Sequence, residues 1–413
     1  VESGTFDMND GTITGNTAKN EKASNNINGG GVYVSNNGTF NMNDGAISDN
    51  KATNSDESNT TYGGGVYVSG GTFTMKGNAS VTSNRATDQN NGIGGGVYVV
   101  DGTFTMNDNA SVSGNNATST DGGVGVYTST STATFTMNGG TIRGNNATKG
   151  GGVGVYRAAK FEMNGGTISD NTANQGGGVY VSGGSTFTMN GGSISDSGVS
   201  SGRESYNTIY NLGTFIANGG AVTNSGSGLY NYALYTIGIL KTEQGSSGTE
   251  FFGTARTGVN GNLFDGGIFN GQVLNYDQIS GGTFCGTVTN HNGGVIAGGV
   301  FESGSTVINN GEITNGTFHG SVTNDGKITG GIFYGTVSGD GTIEDSAKRT
   351  VSFDTDGGSD IEAQKILRGQ KAVRPTDSIR SGYRFNGWYT DGVYTAEYDF
   401  NTPVLDTLTL TAK

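Results

Sequence analysis

The sequence predicts an all-β protein: a right-handed parallel β-helix that continues into a tighter short-coil solenoid, followed by a small β-grasp-like module. Three observations carry this. A Phe-x-Met pair recurs at Phe6/Met8, Phe40/Met42, Phe73/Met75, Phe104/Met106, Phe135/Met137, Phe161/Met163 and Phe187/Met189, and these pairs hold every Met of the chain. The Met spacings are 34, 33, 31, 31, 26 and 26, a self-similar period that marks stacked units. A shorter motif of the type GG-x-F then returns at Phe269, Phe284, Phe301, Phe318 and Phe333, with spacings of 15, 17, 17 and 15. After Asp345 the pattern changes to strand-like alternation with a Trp and aromatic cluster. The expected domains are therefore 1–232, 233–345 and 346–413.

Composition narrows the class. Of 413 residues only 32% are hydrophobic and 78 are Gly, which alone would suggest disorder. The periodic placement of the apolar residues removes that reading. The net charge is −13, which argues against a nucleic-acid partner, since that needs a basic stripe. No run of 18 apolar residues occurs, so no membrane-spanning helix is expected. One Cys, Cys285, excludes an internal disulfide. The first residues, VESGTFDMND, fall partway through a unit, as expected of a mature or excised segment.

Each long unit predicts three short strands. In Val32–Val34 the two Val share a face and Tyr33 takes the other. Phe40 and Met42 point one way, Thr39 and Asn41 the other; a third strand follows at Ala46–Ser48. None stands alone, so stacking must bury a continuous core. Right-handed winding follows from the crossover rule, with a rise of about 4.8 Å per turn. Like then stacks on like: a Phe ladder, a Met ladder, and a third through Ile13, Ile47, Val81, Val112, Ile142, Ile168 and Ile194. One Asn column runs through Asn9, Asn43, Asn107, Asn138, Asn164, Asn190 and Asn218, broken by Lys76. A second runs through Asn16, Asn50, Asn84, Asn115, Asn145 and Asn171, closed by Ser197. Both are expected to be structural amide ladders. The insertion before each Gly-rich strand shrinks along the chain and is expected to form a tapering fringe of polar loops.

The GG-x-x-Y strand starts followed by F-x-x-N, as in Phe135–Asn138 and Phe187–Asn190, resemble the repeats of the chlamydial polymorphic membrane protein family over about residues 1–220. The resemblance implies a β-helical surface adhesin. Val-Tyr-Val after the glycines departs from that pattern. Residues 233–262 are irregular and are expected to be a transition. In the short coils, apolar residues recur about every five positions, which predicts three very short sides with Gly at the corners. In the last module, GYRFNGWYTD, YDFNTPV and LTLTAK closely resemble the internalin-type B repeat, also called the Listeria–Bacteroides repeat. That resemblance implies a small β-grasp-like domain of secreted and wall-attached bacterial proteins, hence an extracellular location.

The sharpest candidate site is a Tyr column: Tyr33, Tyr67, Tyr98, Tyr127, Tyr156, Tyr180 and Tyr210, extended by Tyr230. With Val inward, these rings would line a solvent face suited to a host or matrix glycan or protein. The alternative is a structural stack that stabilises the sheet or lies under the loops. A Thr-x-Thr column, Thr72/Thr74, Thr103/Thr105, Thr134/Thr136 and Thr186/Thr188, is similar to the arrays of ice-binding solenoids but is equally explained by strand propensity. Asp170 and Asp196, with Arg143, Lys149, Arg157 and Lys160 nearby in sequence, are the best candidates for polysaccharide cleavage, although Asp is ordinary in such turns. His291 and His319 sit at different places in their coils, against a metal pair. The expected protein is a monomeric, non-catalytic extracellular adhesin or stalk without cofactor or metal. A polysaccharide lyase or hydrolase and a pure spacer are the alternatives.

Overall fold

The computed structural model describes all residues except 21–25, 55–58, 88–91, 119–124, 196–205, 224–230, 237–238, 242–249, 253 and 258–262. The chain divides into two compact units, Val1–Gln272 and Val273–Lys413.

The first unit is a β-solenoid of parallel sheets. Each segment pairs in parallel with its counterpart one coil on: Val66 with Val32, Phe73 with Phe40, Val81 with Ile47. The Phe, Met and Val/Ile ladders form as the periodicity requires, and the Phe rings from Phe40 to Phe215 stack at 4.7–5.4 Å. That spacing is one strand separation. Each fully buried Phe contributes about 2–3 kcal/mol from apolar burial, and ring stacking adds up to ~1 kcal/mol. The insertions differ from the expected polar loops. They carry two further parallel sheets, one of Thr17–Asn20, Lys51–Asn54, Arg85–Thr87 and Asn116–Ala117, the other of Ile27–Asn28, Thr61–Tyr62 and Gly92–Ile93. Ala52 and Ala86 are fully buried and Ala117 nearly so, while Ala18, Ile27, Tyr62 and Ile93 are half-buried, so the insertion carries a small core of its own.

The corner before each Asn of this column, exposed at Asn16 and buried from Asn50 to Asn171, is built by one backbone device. Gly15, Asp49, Ser83, Gly114, Gly144 and Asp170 all adopt a left-handed conformation, with φ between 55° and 70°. Gly, Asp and Ser share this site because short or absent side chains tolerate it. The Asn that follows then pairs the corner's polar groups. Asn50 Oδ1 accepts from Asn16 N at 3.0 Å and Asn16 Nδ2 at 2.9 Å; Asn50 Nδ2 donates to Ile13 O at 2.8 Å and Asn84 Oδ1 at 3.0 Å. The pattern repeats through Asn84, Asn115, Asn145 and Asn171. The last Gly of each Gly-rich turn lies against this ladder. A Cβ on Gly65 or Gly96 would come within 2.9 Å of the Asn84 or Asn115 amide nitrogen.

In the second unit the short coils fill their interior with three columns: Ile279, Ile296, Ile313 and Ile328; Phe284, Phe301, Phe318 and Phe333; and Val288, Val307 and Val322. Three inward columns match the five-residue spacing, yet the first two sides form one strand. Gln278–Phe284, Val295–Phe301 and Glu312–Phe318 each run unbroken for seven residues. They bend at Gly282, Gly299 and Gly316, where φ is 96–124°. A further amide ladder, not anticipated from sequence, runs through Asn275, Asn290, Asn309 and Asn324 at 2.6–2.7 Å.

The closing module is a mixed four-stranded sheet. Lys348–Asp354 pairs antiparallel with Gln364–Leu367 and parallel with Leu408–Ala412, which pairs antiparallel with Trp388–Tyr389. The α-helix of a β-grasp fold has no counterpart among the described residues of the module. Trp388 is fully buried among Val351, Phe353, Val404 and Leu410. The module docks on the last coils. Phe333 N donates to Arg368 O at 2.8 Å, and Gln370 Nε2 donates to Phe333 O and Gly335 O at 2.6 Å each. Lys365 and Asp345 form an ion pair beside them.

Candidate functional surfaces

The Tyr column exists as a stack, with successive rings from Tyr33 to Tyr210 at 4.6–5.6 Å. It is not the solvent-facing stripe the alternation suggests. Tyr67, Tyr98, Tyr127, Tyr156 and Tyr180 are only 5–9% exposed; Tyr33, at the first coil, is 44% exposed, and Tyr210 is half-buried. At the early coils the cause is the insertion: Tyr62 and Ile93, from its small sheet, pack on the rings, and Tyr62 lies 4.7 Å from Tyr98. Farther along, the Lys149 ammonium sits 5.7 Å over Tyr180. Burial pushes the Tyr67 hydroxyl up to about 12, with Tyr33 adding to the effect, and raises Tyr98 as well. Tyr230 lies outside the described residues. The covering residues were visible in the sequence as isolated apolar positions within polar insertions, a signal too short to assign.

Tyr156 reaches the stack from a different backbone position. In register, Gly154 stands opposite Tyr127 and Tyr180, and Tyr156 stands opposite Ser129. The exchange of Gly and Tyr along one strand leaves room at Gly154 for the Tyr156 ring, which stacks at 4.6 Å on Tyr127 and 5.1 Å on Tyr180. Residues two apart share a face, so the column stays continuous.

The outward hydroxyl columns are mostly half-buried and bond along the column, as Thr103 Oγ1 does to Thr72 Oγ1 at 3.3 Å. Glu162, which interrupts them, accepts from Asn190 Nδ2 at 3.1 Å. Asp170 is an exposed corner residue that accepts a hydrogen bond from Ser169 Oγ at 3.1 Å. Its equivalents in other coils are Gly15, Asp49, Ser83, Gly114 and Gly144. Asp196 lies outside the described residues. Arg143 ends a strand, Lys149 bridges in the insertion, Arg157 occupies a left-handed turn and Lys160 begins a strand, so the four belong to different parts of the coil. The histidines do not meet: His291 stacks on Tyr276 at 4.0 Å and His319 on Tyr334 at 5.0 Å. Among the described residues no group of three or more His, Cys, Asp or Glu could hold a metal ion. No helix among them is long and apolar enough to cross a membrane.

Two proteins of Evansella cellulosilytica are similar to this chain. One, named "Putative membrane protein", is 35% identical over 65 residues, which is 16% of this chain and 10% of that protein. The other, named "Putative Gly-rich membrane protein", is also 35% identical over 65 residues, covering 8% of its length. The chain thus spans about a tenth or less of the relatives it matches. No solved structure matches the chain. Residues 350–413, the mixed sheet around Trp388, match the Listeria–Bacteroides repeat domain, a module typical of bacterial surface proteins.

Proposed function

We propose that this chain is a non-catalytic stalk segment of an extracellular bacterial surface protein, held outside the cell to present glycan- or protein-binding groups. The repeat domain at 350–413 supports the location, and the names of the Evansella relatives agree with a cell-envelope setting. The observation that carries the stalk reading is the enclosure of the Tyr column. The rings that suggested a binding face are spent on joining coil to coil, as are the Asn columns. Asp170, the best acid for an enzymatic reading, occupies a corner where other coils use Gly, Ser or another Asp, and three of those five equivalents are Gly. That position selects for backbone conformation rather than acidity.

The reading is tested on intact cells. Brief surface digestion with trypsin is expected to release fragments of this chain, and an antibody to the solenoid to label unpermeabilised cells. Labelling only after permeabilisation would overturn the location. Reducing-sugar release from pectin or alginate that Asp170→Asn abolishes would overturn the non-catalytic reading.

A further inference from the structure

The closing module carries a hollow of about 100 Å³ whose lining runs against the charge of the rest of the chain. Three cationic side chains border it, Arg380, Arg384 and Lys413, with one carboxylate side chain, Asp356, in a protein of net charge −13. Asp356 is already engaged: its Oδ2 lies 2.8 Å from Arg380 Nη1. The Arg380 guanidinium also lies 4.1 Å from the Tyr383 ring centre, so it is fixed from two sides. Lys413 rests 5.2 Å over Tyr389. Arg384 is exposed and has no ion pair among the described residues. Beside these cations, Tyr383 is 69% exposed, far more than a ring of its size needs for packing, and Phe385 supplies an apolar wall.

We infer that this hollow binds the carboxylate of a uronic-acid residue in an acidic polysaccharide, with the sugar ring lying on Tyr383. The volume admits a carboxylate but not a whole pyranose, so the ring must stay outside, where the exposed aromatic face is. Guanidinium groups match a planar carboxylate in a way a point charge does not. An aromatic face beside them adds contact to the apolar face of a sugar. Pre-ordering of Arg380 by Asp356 and Tyr383 reduces the rotamer freedom lost on binding. The inference is independent of the stalk reading, since the hollow belongs to the module alone.

The chain's single Trp reports on the site, because the Trp388 ring centre is 5.3 Å from that of Phe385 in the hollow wall. The full chain is titrated with trigalacturonate while Trp fluorescence is followed, with equilibrium dialysis alongside. The neutral methyl ester and inorganic polyphosphate serve as comparisons. Saturable binding is expected, at least tenfold weaker for the ester and for Arg384→Gln, and several-fold weaker for Tyr383→Ala. Both residues are exposed, and unchanged Trp emission of the free variants checks that they fold. No binding by either method up to about 10 mM, a free energy too small for a built site, would overturn the inference. Equal binding of the ester would do the same. So would polyphosphate and trigalacturonate binding alike with neither sensitive to Tyr383→Ala, because charge alone would then account for both.

Discussion

At the scale of single residues, an Asn means different things in its two columns. Asn145 is fully buried and uses its whole amide: Oδ1 accepts from Asn115 N and Nδ2 at 3.0 Å, and Nδ2 donates to Asn171 Oδ1 at 2.9 Å and Val112 O at 3.2 Å. Replacing it by Ala strands polar groups that water cannot reach, each costing about 1–3 kcal/mol. Asn138 also belongs to a ladder, with bonds to Asn107 and Asn164 at 2.9 Å, but it is exposed and water can replace its partners. Asn145→Ala is expected to lower unfolding free energy by about 3 kcal/mol and Asn138→Ala by less than about 1 kcal/mol, read by urea denaturation. Equal losses would show that the buried column is not what secures the corners. The two columns are equally visible in the sequence, yet the sequence does not say which is buried. That depends on which side of a left-handed corner each Asn falls, and the corner residue is variously Gly, Asp or Ser.

At the scale of elements, the Tyr stack acts as a second core outside the strand that separates it from the first. Val32 and Val34 alternate with Tyr33 as half-buried strands do, and that alternation correctly places the Val column inside. What it cannot show is that the opposite face is covered too, because the covering strands Thr61–Tyr62 and Gly92–Ile93 are two residues long and sit in polar sequence. The burial has a pH consequence. Tyr67 is raised from 10.0 to about 12 in the folded state, chiefly by desolvation. Its contribution is therefore complete below pH 10 and is lost as pH rises through 12. Stability is expected to be level from pH 7 to 9 and to fall above 10, by on the order of 2 kcal/mol for this ring. Tyr67→Phe is expected to flatten part of that fall. Denaturant midpoints measured from pH 7 to 12 on the natural chain and on Tyr67→Phe make the check; stability that stays level from pH 10 to 12 would contradict it.

At the scale of the whole molecule, a solenoid must protect the exposed edges of its last coil from pairing with other chains. In the second unit the repeat domain does so through Gln370, whose amide satisfies Phe333 O and Gly335 O, while Arg368 O takes the Phe333 N–H. Gln370→Ala is expected to lower the stability of this unit by about 2 kcal/mol and to speed hydrogen exchange at Phe333 and its neighbours. Unchanged exchange there would mean that the docking is incidental. This docking was not legible in the sequence, where the module reads as separable and Gln370 as one polar residue among many. The main columns of the stacked body were legible because the same residue types recur in the same order in each unit, whereas the sheets of the insertions and the amide ladder of the short coils were not.

The amide ladders carry one more consequence. In the buried row each Asn gives its proton forward, Asn50 to Asn84 and Asn115 to Asn145; in the outer row it gives it backward, Asn164 to Asn138 and Asn190 to Asn164. Coils that carry an Asn in both rows therefore present the same pair of complementary rows to the coil before and the coil after, and Lys76 interrupts the outer row once. A gene that gains or loses one such unit by unequal recombination keeps the amide pairing at the new joint. The number of coils is then free to drift between lineages while the pairing chemistry stays constant, and the number of stacked turns changes in whole steps.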